Sequence, residues 1–160
     1  MRIILKKLAG IALLIFFSSL QAQDTANDIL GIWITSKGKA HVEISQGEAG
    51  FVGHIIWLKE PFYPDDDDLG MAREPKVDRD NPDVKRRQDP VVGLRIMNGF
   101  SYAGNGEWKG GTIYDPEKGK TYKCKIRLTA DGALKVRGYI GFSLFGRTED
   151  WLPVTGRKHL

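Results

Sequence analysis

The sequence predicts an all-β, antiparallel domain of about eight strands closed into an up-and-down barrel, with a two-sheet β-sandwich as the alternative. Three observations predict it. Short runs of alternating apolar and polar residues recur after residue 30, and no helical period of convincing length appears. Turn sequences separate most of these runs, among them Gly104-Asn105-Gly106, Asp115-Pro116-Glu117-Lys118-Gly119 and Asp131-Gly132. The chain holds 19 glycines, which sharply coiled strands need at bends and bulges. One wet and one dry face per strand is the pattern of an antiparallel sheet over a single core. Closing the sheet removes its exposed edges.

The elements follow in chain order. Arg2, Lys6 and Lys7 precede an almost unbroken apolar run at 8–20, and Gln21-Ala22-Gln23 supplies a small residue for cleavage. This is the order of a secretory signal peptide over residues 1–22, cut after Ala22. The run is shorter than the roughly 20 residues of a membrane span. A retained anchor is therefore the less favoured reading, and no transmembrane span is expected after processing. The expected location is periplasmic or secreted.

Residues 23–160 have the size of one domain with its own core. Strands are expected at 31–35, 40–45, 51–58, 91–100, 107–114, 121–128, 133–140 and 146–154. In 40–45, Ala40, Val42 and Ile44 oppose His41, Glu43 and Ser45. Strand 51–58 is apolar on both faces. In 121–128, Tyr122, Cys124, Ile126 and Leu128 oppose Lys123, Lys125 and Arg127. In 133–140, Leu134, Val136 and Ile140 oppose Lys135, Arg137 and Tyr139. Between the third and fourth strands lies a long loop, 59–90, rich in Pro, Asp and Arg. Pro61, Pro64, Pro75, Pro82 and Pro90 forbid a regular element through most of it. Loops of that length are functional or mobile.

The charge balance excludes one class of partner. The chain has 24 basic and 20 acidic residues, but residues 1–22 hold three of the basic ones and no acid. Processing leaves 21 basic against 20 acidic residues, a net of +1. Such a balance gives no ground for nucleic-acid binding, and no motif for it is present. The single cysteine, Cys124, cannot make an internal bridge; on an alternating inner face it reads as a small buried hydrophobe.

Two stretches carry a resemblance. Gly31-Ile32-Trp33 resembles the Gly-x-Trp start of lipocalin-like and streptavidin-like barrels. That resemblance implies a Trp at the closed end with a basic residue of the last strand across it. Arg147 is the candidate, and a guanidinium on an indole is worth about 0.5–2 kcal/mol. A longer series resembles the bacterial domain of unknown function 2147 (DUF2147). It comprises Gly31-Ile32-Trp33 again, Ile56-Trp57-Leu58-Lys59-Glu60-Pro61, Asp80-Asn81-Pro82-Asp83, Gly110-Gly111-Thr112-Ile113-Tyr114-Asp115-Pro116, Gly119-Lys120-Thr121-Tyr122, Val136-Arg137-Gly138-Tyr139-Ile140-Gly141 and Ser143-Leu144-Phe145-Gly146-Arg147. The match covers roughly 30–154. It implies an exported, compact, β-rich domain and no particular activity. The chain departs from the family at 46–50, where a frequent Cys pair is missing.

No catalytic constellation stands out. His41, His54 and His159 have no metal spacing, and no Gly-x-Ser-x-Gly is present. The chain is read as non-enzymatic, without cofactor or metal. An unrecognised hydrolase using Asp78, Asp83 and Arg87 is an alternative. The oxygen-rich set of Asp65, Asp66, Asp67, Asp68, Asp78, Asp80, Asn81 and Asp83 has the chemistry of a hard-cation site. Its spacing misses the EF-hand pattern, so an Asx turn at Asn81-Pro82 in a solvated acidic loop is favoured. Lys123, Lys125, Arg127, Lys135 and Arg137 form a basic outer face, which suits either an anionic envelope surface or balancing acids nearby. The latter is favoured. The apolar turn 141–146 is expected to plug the barrel end rather than line a ligand mouth.

The expected function is non-catalytic binding of a small hydrophobic or amphipathic ligand, lipidic ones included, by an exported envelope protein. The candidate ligand residues are Trp33, Trp57, Trp108, Tyr114, Tyr122 and Arg147, although aromatic residues in strands are first of all core. Asp78, Asn81, Asp83 and Arg87 are the loop candidates. An envelope interaction module using the basic strand face is the other alternative.

Overall fold

The computed structural model describes residues 25–142, 144 and 146–154. The expected signal peptide lies outside them. The strands in chain order are β1 (Gly31–Ile34), β2 (Ala40–Gly47), β3 (Gly50–Leu58), β4 (Arg95–Gly104), β5 (Glu107–Lys109), β6 (Thr112–Asp115), β7 (Lys120–Leu128), β8 (Leu134–Tyr139) and β9 (Gly146–Pro153). All pairings are antiparallel. Sequence neighbours pair around a ring, β5 and β6 share one place between β4 and β7, and β9 returns to β1. The result is a closed up-and-down barrel of eight positions, not a sandwich.

Three irregularities shape the wall. The strand expected at 107–114 breaks at Gly110-Gly111. A Cβ on Gly111 would stand 2.5 Å from the Phe100 ring and 2.7 Å from the Asn98 carbonyl oxygen, so only glycine lets the backbone press against β4 there. The strand expected at 91–100 starts at Arg95 and runs to Gly104; Val91 and Leu94 are buried all the same, as loop residues. Between β2 and β3 the register slips: His41 faces Trp57, but Val42 faces Ile55. Ile56 is the extra residue, and such a bulge turns Ile56 and Trp57 together onto the outer wall. That is why 51–58 looks apolar on both faces.

Elsewhere the alternation holds. Ala40, Val42, Ile44, Cys124, Ile126, Leu134 and Val136 are buried in one cluster with Phe100, Met97 and Ile96 of β4. Burial pushes the Cys124 thiol up to about 12. Ile140 is a correction: the alternation ends with β8 at Tyr139, and Ile140 is 68% exposed.

One end of the barrel is sealed. A 3-10 turn, Asn27–Ile29, carries the fully buried Ile29 into the core. Trp33 Nε1 donates to the Ile29 carbonyl at 2.9 Å, and Trp108 Nε1 donates to the Ala26 carbonyl at 3.1 Å. Both indoles are thus buried with their N–H groups satisfied. The expected Arg147–Trp33 stack does not form. Trp33 faces Pro153 in the register, whereas Arg147 lies at the far end of β9, 75% exposed and 3.5 Å from Glu149.

Trp33→Ala is expected to destabilise the fold by about 3–5 kcal/mol, the cost of deleting a buried large aromatic. Urea unfolding measures it, and an unchanged midpoint would place Trp33 outside the core.

Candidate ligand cavity

Inward residues of seven strands surround a cavity of about 1060 Å³. Ala40 of β2, Ile55 of β3, Ile96 of β4, Ile113 and Tyr114 of β6, Tyr122 of β7, Val136 and Gly138 of β8, and Trp151 of β9 line it. Gly138 leaves a gap in the wall. A Cβ there would meet Ile113 and Tyr122 at 3.5 and 3.6 Å, which is ordinary contact. Trp151 is buried, and its Nε1 has no hydrogen-bond partner among the described residues. An unpaired buried donor costs about 1–3 kcal/mol.

The mouth lies opposite the 3-10 turn Asn27–Ile29. Its rim carries ion pairs: Lys39 with Glu117 at 3.1 Å, Lys118 with Asp115 at 2.7 Å, and Arg147 with Glu149. Lys76 also lines the cavity, half-buried, with no ion pair among the described residues.

The long loop covers part of this mouth through Tyr63, Asp67, Val77 and Arg79. Its order comes from its own contacts. Phe62 bridges Pro75, and Val77 bridges Pro90. Tyr63 is buried and its hydroxyl donates to the Val77 carbonyl at 2.9 Å. Arg79 stacks over the Tyr63 ring at 4.2 Å and pairs with Asp67 at 2.7 Å. The Arg79 guanidinium holds the Asp67 carboxyl below its ordinary range, and Arg73 does the same for Asp65. Two of the four consecutive aspartates therefore serve the loop's arginines. Among the described residues, no His, Cys, Asp and Glu side chains gather in a metal-holding group.

A buried latch ties the loop to the barrel. Asp78 is fully buried and accepts from the Tyr114 hydroxyl and from Asn81 Nδ2, both at 2.6 Å. Burial and the Asp78 hydrogen bond push the Tyr114 hydroxyl well above its ordinary range. Asn81 Oδ1 accepts from the Asp83 backbone N–H at 2.9 Å, which is the expected Asx turn. Asp83 caps the 3-10 turn Val84–Arg86 by accepting from the Lys85 N–H, and Arg87 Nε donates to the Asn81 carbonyl. At the neighbouring turn, Gly119 has φ of 61°, and a Cβ there would lie 1.8 Å from the Asp80 carbonyl oxygen. No other residue fits between turn and loop.

The sequence candidates thus separate. Tyr114, Tyr122 and Arg147 line the cavity. Trp33 and Trp108 seal the closed end and do not line it. Trp57 sits on the outer wall, 44% exposed, with its ring 4.5 Å from that of His41. Asp78, Asn81, Asp83 and Arg87 form one connected network that fastens the loop and lines no part of the cavity. Sequence reasoning missed Trp151, whose inward direction was legible only by extending the alternation through Arg147 and Glu149.

The basic face is partly neutralised. Arg127 pairs with Glu107 and Lys135 with Asp150, each at 2.8 Å. Lys109 and Arg127 hold the Glu107 carboxyl down to about 2. Arg137 donates to Thr148 Oγ1 and to the Leu144 carbonyl. The turn after β8 is no plug: Phe142 is 82% and Leu144 79% exposed, while Ser143 and Phe145 lie outside the described residues.

A family model described as an uncharacterized protein conserved in bacteria (DUF2147) matches residues 31–152. A solved structure described as protein HP1028 from the human pathogen Helicobacter pylori, which belongs to the lipocalin family, superposes with a TM-score of 0.66 at 21% identity. The match covers 79% of this chain and 83% of that one, and at this identity it shows a shared lipocalin-like fold. No curated protein matches the chain.

Tyr114→Phe is expected to cost about 1–3 kcal/mol, because it leaves the buried Asp78 short of a donor. Urea unfolding reads the loss, and limited proteolysis within the loop should speed up. Glu107 contributes stability fully above its ordinary value of 4.5, and that contribution is lost as the pH falls through about 2. The stability gap between the native protein and Glu107→Gln should therefore shrink from pH 5 to pH 2; a constant gap would contradict the cluster.

Proposed function

This chain belongs to the DUF2147 family of bacterial proteins, and we propose that it binds one small apolar or amphipathic ligand inside its barrel without transforming it. The cavity carries this reading. Its volume of about 1060 Å³ reaches the top of the roughly 300–1,000 Å³ usual for small-molecule sites. Barrels of this size hold either packed side chains or one small ligand, and here the inward side chains leave room. The walls are aliphatic and aromatic, which suits an alkyl or ring body, lipidic ligands included. The rim is charged, which suits a polar end left at the mouth.

The secretory signal read in residues 1–22 supports a periplasmic or extracellular setting for this binding. A hydrolytic reading is disfavoured by one specific observation. Its candidates Asp78, Asp83 and Arg87 are engaged in fastening the loop and do not line the cavity.

The test is a titration of the processed chain with long-chain fatty acids and lysophospholipids, read by tryptophan fluorescence. Trp151 in the wall reports occupancy. Saturable quenching at one ligand per chain is expected. Gly138→Leu places a side chain in the cavity at a position with room for a Cβ. It should weaken binding by about tenfold or more, some 1.4 kcal/mol, with little change in melting temperature. Undiminished affinity in that variant, or no saturable change in the native protein, would overturn the proposal.

A further inference from the structure

We propose that the mouth of the barrel docks on an anionic lipid bilayer, with the tip of the β8–β9 hairpin inserted at its surface. The proposal stands beyond ligand binding and does not require it.

The hairpin projects. Strand β9 pairs with β1 only at Trp33–Pro153 and Ile34–Leu152, so residues 146–151 have no β1 partner. The turn beyond β8 carries Ile140, Phe142 and Leu144, all strongly exposed. Arg137 holds this tip outward by donating to the Leu144 carbonyl at 3.1 Å. Phe62 and Leu69 are exposed on the covering loop at the same end of the barrel. Exposed large apolar residues gathered at one end of a molecule mark an interaction site.

Charge selects the occupant. Along the β7–β8 ladder, the cations furthest from the mouth, Arg127 and Lys135, are neutralised by Glu107 and Asp150. Closer to the tip, Lys123 and Lys125 have no ion pair among the described residues, and Lys123 stands opposite Tyr139 at the base of the turn. The exposed Lys37, across β9 from the hairpin, has none either. The acids beside the hairpin are already used, Glu117 by Lys39, Asp115 by Lys118 and Glu149 by Arg147; those without an ion pair among the described residues, Glu60, Asp66, Asp68 and Asp80, belong to the covering loop. Apolar side chains at a tip, flanked by unneutralised lysines, match an interface of anionic headgroups above acyl chains. An uncharged apolar partner would leave the lysines unused.

The experiment is flotation of the processed chain with vesicles of phosphatidylcholine alone or mixed with phosphatidylglycerol. Binding to the mixed vesicles is expected, weakening as salt rises. Replacing both apolar residues, Phe142→Ser with Leu144→Ser, should lower partitioning by at least about tenfold. Lys123→Glu with Lys125→Glu should lower it by about fivefold or more per lysine. All four side chains lie outside the core, so melting temperatures should hold. Phe142→Trp should show blue-shifted emission on mixed vesicles only. Gly138→Leu should bind vesicles normally, which separates this proposal from the cavity. Failure to float with mixed vesicles would overturn it, as would equal partitioning of the serine variant. A concentration-dependent dimer abolished by the serine variant would overturn it in favour of a second copy at the tip.

Discussion

The seam between β1 and β9 is the contact on which the barrel depends. β1 has only four residues, and two register pairs close the ring, helped by the Val154 N–H donating to the Ile32 carbonyl at 3.0 Å. The β2–β3 ladder, by contrast, has eight pairs. Without the seam the sheet would present two bare edges and no enclosed interior. Its weakness is offset at one residue. Trp33 stands in the seam opposite Pro153 and also donates to Ile29 of the sealing turn, so closing the ring and closing its end are one event.

The same short strand shapes the other end. Because β1 stops at Ile34, β9 is flanked above the seam by the 3-10 turn Ser36–Gly38, whose Ser36 Oγ donates to the Asp150 carbonyl at 3.2 Å. The opposite side is roofed by a loop that builds a second, polar structure of its own. Asp78 is its centre. A fully buried carboxylate is tolerable only with donors aimed at it, and Tyr114 and Asn81 supply them. The barrel thus holds an apolar interior and an ionic roof. Tyr114 belongs to both, with its ring in the cavity wall and its hydroxyl in the latch.

Much of this was legible in the sequence. Two-residue alternation located β2, β7 and β8 and assigned Val42, Ile44, Ile126, Leu134 and Val136 to the interior. It failed where one residue breaks the period. The bulge at Ile56 sent Trp57 outward, and the glycine corner at 110–111 divided one strand into two. The cavity was only half legible. Tyr114 and Tyr122 were found because aromatic residues signal a face. Trp151 was not, because β9 alternates charged residues with it on the same inward side near the mouth. The loop network was legible as residues but not as a role, because the Asp78–Tyr114 contact joins positions far apart in the chain. Ile140, Phe142 and Leu144 announced themselves as misplaced apolar character, but only the three-dimensional wall shows that they are exposed.

Cys124 has one more consequence. A thiol reacts through its thiolate, and with burial holding the group near 12, roughly one chain in 10⁵ carries that anion at neutral pH. Once folded, the protein keeps this sulfur out of reach of thiol chemistry. A disulfide-linked pair of chains found in a preparation would therefore record molecules caught before the wall of β7 had closed over the sulfur.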